Sequence, residues 1–321
     1  MELRPLGQTG IAISPIALGC WPIAGLTSPG ANDADSRATI AACFELGINH
    51  LDTAYLYGRR GESERLIAEA TAGRREQLVI ATKGGLHWGE EGKQVHDARP
   101  ATLARECEES LRRLRTDRVE FYYLHAPDPQ VPVAESAGAI GRLIEQGKVR
   151  AAGVSNVSLE QLQAFAAECP LAAYQPPYNM LQREIEAHTL PWCRERQVAV
   201  LVYWPLLKGL LAGKLPRDHV FASTDSRLKY PMFHGQQWQQ NQDLLDRLRT
   251  IAEAAGHSVA ELVLNWTIHQ PGITAALCGA KRPEQIREDA GGAGWRLTAE
   301  QLHQIDQALA ERELAAGRNP V

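Results

Sequence analysis

The chain has 321 residues, of which 44% are hydrophobic and 22% are charged, and its formal net charge at pH 7 is −4. This is ordinary globular composition, and it gives no electrostatic reason to expect binding to nucleic acid or to an anionic membrane. No stretch approaches the roughly 18 uninterrupted apolar residues that cross a bilayer, and the first residues lack the basic start and apolar core of a secretory signal.

The cysteines are scattered and form no C-x-x-C pair. They are Cys20, Cys43, Cys107, Cys169, Cys193 and Cys278. This pattern fits free thiols in a reducing compartment better than a disulfide framework. The sequence therefore predicts a cytoplasmic protein.

In chain order, the first predicted element is a short β-hairpin over residues 3–14, which contain Gly7 and Gly10. Short apolar runs rich in β-branched residues then alternate with amphipathic segments along nearly the whole chain. The runs are residues 16–19, 49–52, 78–82, 121–125, 151–154, 173–175, 198–203 and 274–279. Several are apolar throughout, as expected of parallel strands that are covered on both faces.

The segments between these runs carry helix signals. Residues 101–115 follow Pro100 and place one apolar stripe on a helix, formed by Leu103, Cys107, Leu111 and Leu114. Capping boxes begin at Ser158, Ser258 and Thr298, each with Gln or Glu three residues later. Gly47 and Gly73 lie where helices before strands are expected to end.

Eight strands separated by helices favour a closed parallel barrel over an open, doubly wound sheet. We therefore predict one α/β domain over residues 1–321, a (β/α)8 TIM barrel whose bottom is closed by the N-terminal hairpin and which ends in an extra C-terminal helix. Two long connections, residues 87–99 and 208–240, are of a length that usually marks function. In such barrels the active site lies at the carboxyl ends of the strands.

Chemically active side chains lie at several of these strand ends. They are Asp52, Lys83, His125, Ser155, Asn156, Gln175 and Tyr203, and Tyr57 follows Asp52 by five residues. Each has an ordinary structural explanation when taken alone: Asp52 as a helix cap, Lys83 as a side chain that reaches solvent, His125 as a core histidine. Their combination favours a site, because a buried lysine and aspartate are tolerated only as a pair.

The chemistry of this set is that of a general acid. A tyrosine phenol has an ordinary pKa near 10, and we expect the Lys83 ammonium to lower the pKa of Tyr57. Asp52 would hold Lys83, and His125 would donate a hydrogen bond to the substrate oxygen. Such a device protonates the alkoxide that forms when a hydride reaches a carbonyl. The hydride must come from a cofactor, since the chain has no redox group of its own.

Seven motifs now support a resemblance that spans nearly the whole chain. They are LDTAYLYG at residues 51–58, ATK at 81–83, YLH at 123–125, GVSN at 153–156, YQPPYN at 174–179, PLLKGLLAGK at 205–214 and GAKRPEQ at 279–285. In order and spacing they resemble the aldo-keto reductase superfamily. The long connection over 208–240 resembles the branch that includes general-stress and potassium-channel β-subunit relatives.

The resemblance implies NADP(H) as cofactor, a small-molecule carbonyl substrate and a catalytic tetrad of Asp52, Tyr57, Lys83 and His125. It also implies a set of cofactor-binding residues: Trp21, Ser155, Asn156, Gln175, Tyr203, Trp204, Pro205, Leu206, Gly209, Lys214, Arg227, Gly279, Lys281, Gln285 and Asp289. Within that set, Ser155, Asn156 and Gln175 would bind the nicotinamide carboxamide and Tyr203 would stack on its ring.

The remaining implied contacts lie further along the cofactor and around the substrate. Lys214 and Arg227 are the phosphate contacts expected on the long connection, and Lys281 is the cation expected at the adenosine 2′-phosphate. We expect Trp21 and Trp88 to wall an apolar substrate pocket.

Two cofactor positions depart from the family pattern. Trp204 stands where the family usually has serine, and Asp289 stands where asparagine is usual near the adenine. A carboxylate near the 2′-phosphate is mildly unfavourable, so Asp289 bears directly on the preference for NADPH over NADH.

Other classes of site fit less well. The glycines around Lys214 lack the spacing and the Ser or Thr of a P-loop, and no G-x-G-x-x-G follows a strand. The histidines are scattered, so we predict no metal site.

A rival function of another class is that of an NADP(H)-binding regulatory protein that senses redox state with little turnover. Small aldehydes, sugars and xenobiotic carbonyls all stay open as substrates, as do monomer and homo-oligomer.

Overall fold

The chain opens with an antiparallel pair of short strands, β1 (Arg4–Pro5) and β2 (Ala12–Ile13). Leu6 and Ile13 are fully buried in the cluster that fills the inside of the barrel described below. Gly7 has φ +54°, and a Cβ there would lie 2.8 Å from the carbonyl oxygen of Gln197. Only glycine fits this close approach. The predicted hairpin is confirmed.

Eight parallel strands close into a barrel in the computed structural model, which describes residues 1–26, 28 and 30–312. The next strands along the chain are β3 (Ile16–Gly19), β4 (His50–Asp52), β5 (Val79–Gly84), β6 (Leu86–Trp88), β7 (Gln94–His96), β8 (Val119–Leu124), β9 (Val149–Ser155), β10 (Leu171–Gln175), β11 (Ala199–Tyr203) and β12 (Ile273–Gly279). The barrel uses β3 to β5 and β8 to β12, and β12 returns to pair with β3. The eight predicted runs are these eight strands, and the (β/α)8 barrel is confirmed.

The register of the barrel places its carboxyl ends on one rim. Gly19 is opposite both Asp52 and Gly279, and Lys83 is opposite Tyr123. Since neighbouring parallel strands run in the same direction, the residues that end them converge on the same opening. On the long connection after β5, β6 and β7 form a small antiparallel hairpin.

The helices lie outside the strands. They are α1 (Asp33–Leu46), α2 (Glu62–Ala70), α3 (Pro100–Leu114), α4 (Val133–Glu145), α5 (Leu159–Glu168), α6 (Thr189–Glu195), α7 (Gly235–Ala255), α8 (Val259–Ile268), α9 (Pro283–Ala290) and α10 (Ala299–Arg312). The predicted stripe of α3 is buried, and the predicted capping boxes are present at Ser158, Ser258 and Thr298.

Two expectations about the helices need correction. The connection predicted over 208–240 ends earlier, because α7 begins at Gly235 with a glutamine-rich first turn that lacks an apolar period. Gly73 does not end α2, which is capped at Thr71; with φ +75° it belongs to the turn that follows.

The predicted extra helix is α10. It packs against α7, where the Arg312 Nε donates to Asn241 Oδ1 at 2.7 Å.

Among the helices that the structure describes, none combines the length and apolarity that a membrane-spanning segment needs. The predicted domain over residues 1–321 also includes residues 27, 29 and 313–321, which lie outside the described residues.

Candidate active site

The centre of the rim is a buried ion pair between Lys83 and Asp52. The Lys83 Nζ lies 2.5 Å from Asp52 Oδ1, and the two side chains are 1% and 3% exposed. The same nitrogen donates to the backbone oxygen of Thr53 at 2.8 Å and to the Tyr57 hydroxyl at 3.4 Å. An ammonium has three donors. Each of the three therefore has an acceptor, and one of those acceptors is the phenol.

Tyr57 is held in a tight loop between β4 and α2. Its backbone nitrogen donates to the oxygen of Ala54 at 2.9 Å, and its backbone oxygen accepts from the nitrogen of Ser63 at 3.3 Å. The phenol ring meets the Trp21 ring edge-on at a centroid distance of 5.1 Å, and the His125 ring at 5.9 Å. The structure thus brings together the four residues predicted as the tetrad.

Burial decides the protonation of two of these groups. It raises the pKa of Tyr57 well above its ordinary value, and the charge of Asp52 and the thiol of Cys20 add to the effect. The lowering that we expect from Lys83 is outweighed, because desolvation of the buried phenol is the larger effect. The phenol therefore keeps its proton at neutral pH, as a proton donor requires.

Burial, followed by the charges of Lys83 and His96, lowers the pKa of His125 well below its ordinary value. The imidazole is therefore neutral at pH 7 and carries one N–H. Its Nδ1 makes no hydrogen bond to any residue that the structure describes.

The three residues expected to bind a carboxamide lie next to the ion pair. The Gln175 Nε2 donates to Asp52 Oδ2 at 2.7 Å, and the Ser155 hydroxyl donates to the backbone oxygen of Gln175 at 2.8 Å. The Asn156 side chain donates to the backbone oxygen of His125 at 3.0 Å and accepts from the Tyr203 hydroxyl at 2.8 Å. One hydrogen-bonded chain therefore joins this group to the tetrad.

The turn after β11 has an unusual backbone. Trp204, Leu207 and Lys208 all have positive φ, at 57°, 45° and 55°. Three such residues within five positions store strain, which the surrounding structure must compensate and which is common at ligand sites. Pro205, Leu206 and Gly209, predicted to line the cofactor passage, lie in this turn.

Lys208 is a residue of this turn that sequence reasoning missed. Its Nζ lies 4.1 Å from the centre of the Trp204 ring and 4.6 Å from that of Tyr230. Burial, together with the charges of Arg227 and Lys229, lowers its pKa to about 8. Within residues 1–26, 28 and 30–312 it forms no ion pair. The sequence signal is weak, because Lys208 lies five residues after the end of β11 and four residues after Trp204, which it meets only in the folded turn.

The two cations predicted to contact phosphate on the long connection are each already paired with a carboxylate. Lys214 pairs with Glu288, and Arg227 donates to Asp225 through Nη2 at 2.6 Å and Nε at 3.0 Å. Sequence reasoning did not anticipate either acidic partner. To bind a phosphate, each cation would have to share its donors between the two anions or release its carboxylate.

The predicted adenosine end lies between β12 and α9. Gly279 ends β12, and the Lys281 backbone nitrogen donates to Gln285 Oε1 at 2.9 Å. Asp289 is buried, and burial together with the charge of Glu288 raises its pKa to about 8. This carboxyl is therefore mostly neutral at pH 7, which removes much of the repulsion expected between Asp289 and a phosphate.

The two tryptophans predicted to line a substrate pocket both contact the Tyr57 loop. Trp21 meets the Tyr57 ring, and the Trp88 indole nitrogen donates to the backbone oxygen of Leu56 at 2.9 Å. Trp88 comes from the hairpin of β6 and β7, so this hairpin is anchored to the loop.

Across the described part of the chain, no group of three or more His, Cys, Asp or Glu side chains is arranged to hold a metal ion.

Comparison with known proteins agrees with this architecture. The model of the aldo/keto reductase family matches residues 15–310. The aldo-keto reductase YhdN of Bacillus subtilis is 37% identical over 312 residues, which cover 96% of this chain and 94% of YhdN. The NADH-specific methylglyoxal reductase of Escherichia coli is 32% identical and is matched over 95% of its length, with 93% of this chain covered.

A solved structure shows the same fold. The glycerol dehydrogenase AKR11B4 from Gluconobacter oxydans superposes with a TM-score of 0.90 at 37% identity, covering 99% of this chain and 98% of that one. The chain belongs to the aldo/keto reductase family.

The ion pair at the rim predicts a specific pattern of stability. Asp52→Asn leaves the buried Lys83 ammonium without a counterion and is expected to lower the free energy of unfolding by about 3–5 kcal/mol in urea denaturation. The double variant Asp52→Asn/Lys83→Met removes the orphaned charge and is expected to recover part of the loss. A double variant no more stable than the single one would contradict this account.

The buried carboxyl of Asp289 predicts a pH dependence of stability. Its pKa is raised to about 8 in the folded chain. The protonated carboxyl therefore adds to the free energy of unfolding at low pH, and this addition is lost as the pH rises from about 4 towards 8. Asp289→Asn is therefore expected to be more stable than the parent chain at pH 9, by up to roughly 5 kcal/mol, and nearly equal to it at pH 4. Urea denaturation at both pH values measures this, with the exposed Asp218→Asn as control. A difference that does not change with pH would refute the assignment.

Proposed function

We propose that the chain reduces a small aldehyde or ketone to an alcohol with a hydride from NADPH, and that Tyr57 donates the proton. The observation that carries this proposal is the buried ammonium of Lys83, which contacts Asp52 on one side and the Tyr57 hydroxyl on the other. A protonated phenol beside a fixed cation is suited to a developing alkoxide, because the phenolate left behind is stabilised where it forms.

Each tetrad residue has a part in this scheme. Tyr57 gives its proton to the carbonyl oxygen. Lys83, held by Asp52, stabilises the resulting phenolate. Neutral His125 donates a hydrogen bond that orients the same oxygen, and the 5.9 Å between the centres of the His125 and Tyr57 rings supports contact of both side chains with one ligand atom.

The cofactor, when bound, supplies the hydride. Ser155, Asn156 and Gln175 would hold its carboxamide and Tyr203 its nicotinamide ring, with Trp21, Trp204, Pro205, Leu206 and Gly209 along its path. Lys208, Lys214 and Arg227 would face the pyrophosphate. The positive-φ turn after β11 supports this placement, since strained backbone is common at ligand sites. The Lys208 ammonium in the same turn supplies a positive charge for a phosphate.

At the adenosine end, Gly279, Lys281, Gln285 and Asp289 would surround the 2′-phosphate and adenine. NADPH is favoured because Lys281 lies just before α9 and because Asp289 keeps its proton at neutral pH. The name of the Escherichia coli relative shows that NADH serves another member of this family, so both cofactors belong in the test.

The names of the relatives also support a small substrate. One is a methylglyoxal reductase and one is a glycerol dehydrogenase, so we propose small polar carbonyl compounds as the first class to assay. Trp21 and Trp88 would wall their pocket. We further propose that residues 1–321 act as one domain and that the protein works in the cytoplasm, where free thiols persist.

Turnover distinguishes a carbonyl reductase from an NADP(H)-binding redox sensor, the two functions that the sequence left open. The experiment is a panel of small aldehydes, ketones and sugars, with NADPH or NADH consumption followed by absorbance and binding followed by fluorescence. An enzyme cycles through many equivalents of NADPH. Tight binding of NADPH without consumption on any carbonyl would instead support the redox sensor.

Tyr57→Phe tests the proton donor. It removes only the hydroxyl, and we expect carbonyl reduction to fall about 10²–10⁴-fold because general-acid catalysis contributes on that scale. NADPH binding, measured by fluorescence titration, is expected to stay within about threefold of the parent value, a difference under 1 kcal/mol. Full activity in this variant would show that the proton comes from another group.

Lys281→Ala tests the cofactor preference. Loss of a cation at the 2′-phosphate is expected to weaken NADPH about tenfold or more and to leave NADH nearly unchanged. Arg287→Ala is the matched control, since Arg287 lies on α9, the helix that follows Lys281, but pairs with Glu45 at 3.2 Å. An equal loss for both dinucleotides would remove Lys281 from the 2′-phosphate site.

A further inference from the structure

A second buried ion pair lies on the outside of the barrel wall, between α2 and α3. The Arg113 Nη1 lies 3.2 Å from Glu64 Oε2, and the two side chains are 16% and 0% exposed. Neither residue belongs to the tetrad or to the predicted cofactor set. Glu109, on the same helix as Arg113, adds a second carboxylate 3.4 Å from Arg113 Nη2.

This pair reaches both catalytic side chains through their neighbours. On one side, Glu64 Oε1 accepts a hydrogen bond from the hydroxyl of Thr82 at 2.7 Å, and Thr82 directly precedes Lys83. On the other side, the Arg113 Nη1 donates to the backbone oxygen of Tyr55 at 3.3 Å, two residues before Tyr57. The ion pair therefore connects the strand that carries the ammonium to the loop that carries the phenol.

The loop that carries Tyr57 also packs against Arg113 through the Tyr55 ring and through its backbone at Gly61. The guanidinium lies 4.2 Å from the centre of the Tyr55 ring, whose hydroxyl donates to Glu109 at 2.7 Å. Gly61 has φ +74°, and a Cβ there would lie 2.5 Å from Arg113 Cδ. The turn between Tyr57 and α2 thus fits against this one side chain, and any other residue at Gly61 would push it away.

Such a pair contributes little to stability when compared with apolar residues of similar volume, because the charges lose their hydration. What a planar guanidinium that bridges two carboxylates does provide is fixed geometry. We propose that Arg113, held by Glu64, is a positioning residue that sets the separation between the Lys83 Nζ and the Tyr57 hydroxyl. This inference rests on the proposed function, in which that separation governs proton transfer.

A double-mutant cycle tests whether Arg113 acts through Tyr57. Arg113→Met is expected to lower the rate of carbonyl reduction at saturating NADPH about ten- to hundredfold, since a misplacement near 1 Å costs on that order, with NADPH affinity within about threefold. In a Tyr57→Phe background the same substitution is expected to change the residual rate less than about twofold. Equal losses in both backgrounds would reduce Arg113 to a general structural role and overturn the proposal.

Two further variants sharpen the cycle. Arg112→Met is the matched control, because Arg112 is the exposed neighbour of Arg113 on α3, and we expect it to keep parental activity. Arg113→Lys keeps the charge but loses the planar fork, and it is expected to recover only part of the rate. Thermal unfolding of each variant verifies that the folded fraction is the same in the assays.

A crystal structure of Arg113→Met tests the positioning without any turnover. The Lys83 Nζ and the Tyr57 hydroxyl, 3.4 Å apart in the parent chain, are expected to separate beyond hydrogen-bond distance; an unchanged separation would overturn the proposal. If the parent chain reduces no carbonyl on the panel, the proposed function fails by itself, and this distance still decides the role of Arg113.

Discussion

A buried ammonium is costly unless a carboxylate and further acceptors replace its water, and the mouth of this barrel depends on meeting that requirement for Lys83. Asp52 supplies the charge, Thr53 supplies a backbone oxygen and Tyr57 supplies the third acceptor. Gln175 occupies the remaining oxygen of Asp52. Because each partner is itself held, the position of the phenol follows from the position of one nitrogen.

The same low-polarity surroundings explain why the protonation states differ from those of free side chains. Withdrawal from water keeps Tyr57 protonated and His125 uncharged, and it does so although Lys83 lies beside them. A protonated phenol and a neutral imidazole therefore lie next to each other at the rim. Asp289 on α9 follows the same rule, since burial keeps its carboxyl mostly protonated at neutral pH.

Much of this arrangement was predictable because it is local or periodic in the chain. Apolar runs that alternate with amphipathic segments indicated the eight strands, and the residues at or shortly after the ends of those runs indicated the polar group at the rim. Where the local signal was weak, prediction failed. The glutamine-rich start of α7 hid a helix, and Lys208 drew no notice because its partners Trp204 and Tyr230 meet it only in the folded turn.

The sequence by itself determined the barrel, the hairpin below it and the identity of the residues at the rim, because strand periodicity and strand direction are properties of short segments. Only the tertiary structure decided the pKa direction of Tyr57, the acidic partners of Lys214 and Arg227, and the contact of Arg113 with the Tyr57 loop. The physical reason is the same for each. Desolvation and ion pairing depend on which distant segments pack around a side chain and exclude water from it, and the spacing of residues in the sequence does not predict those contacts.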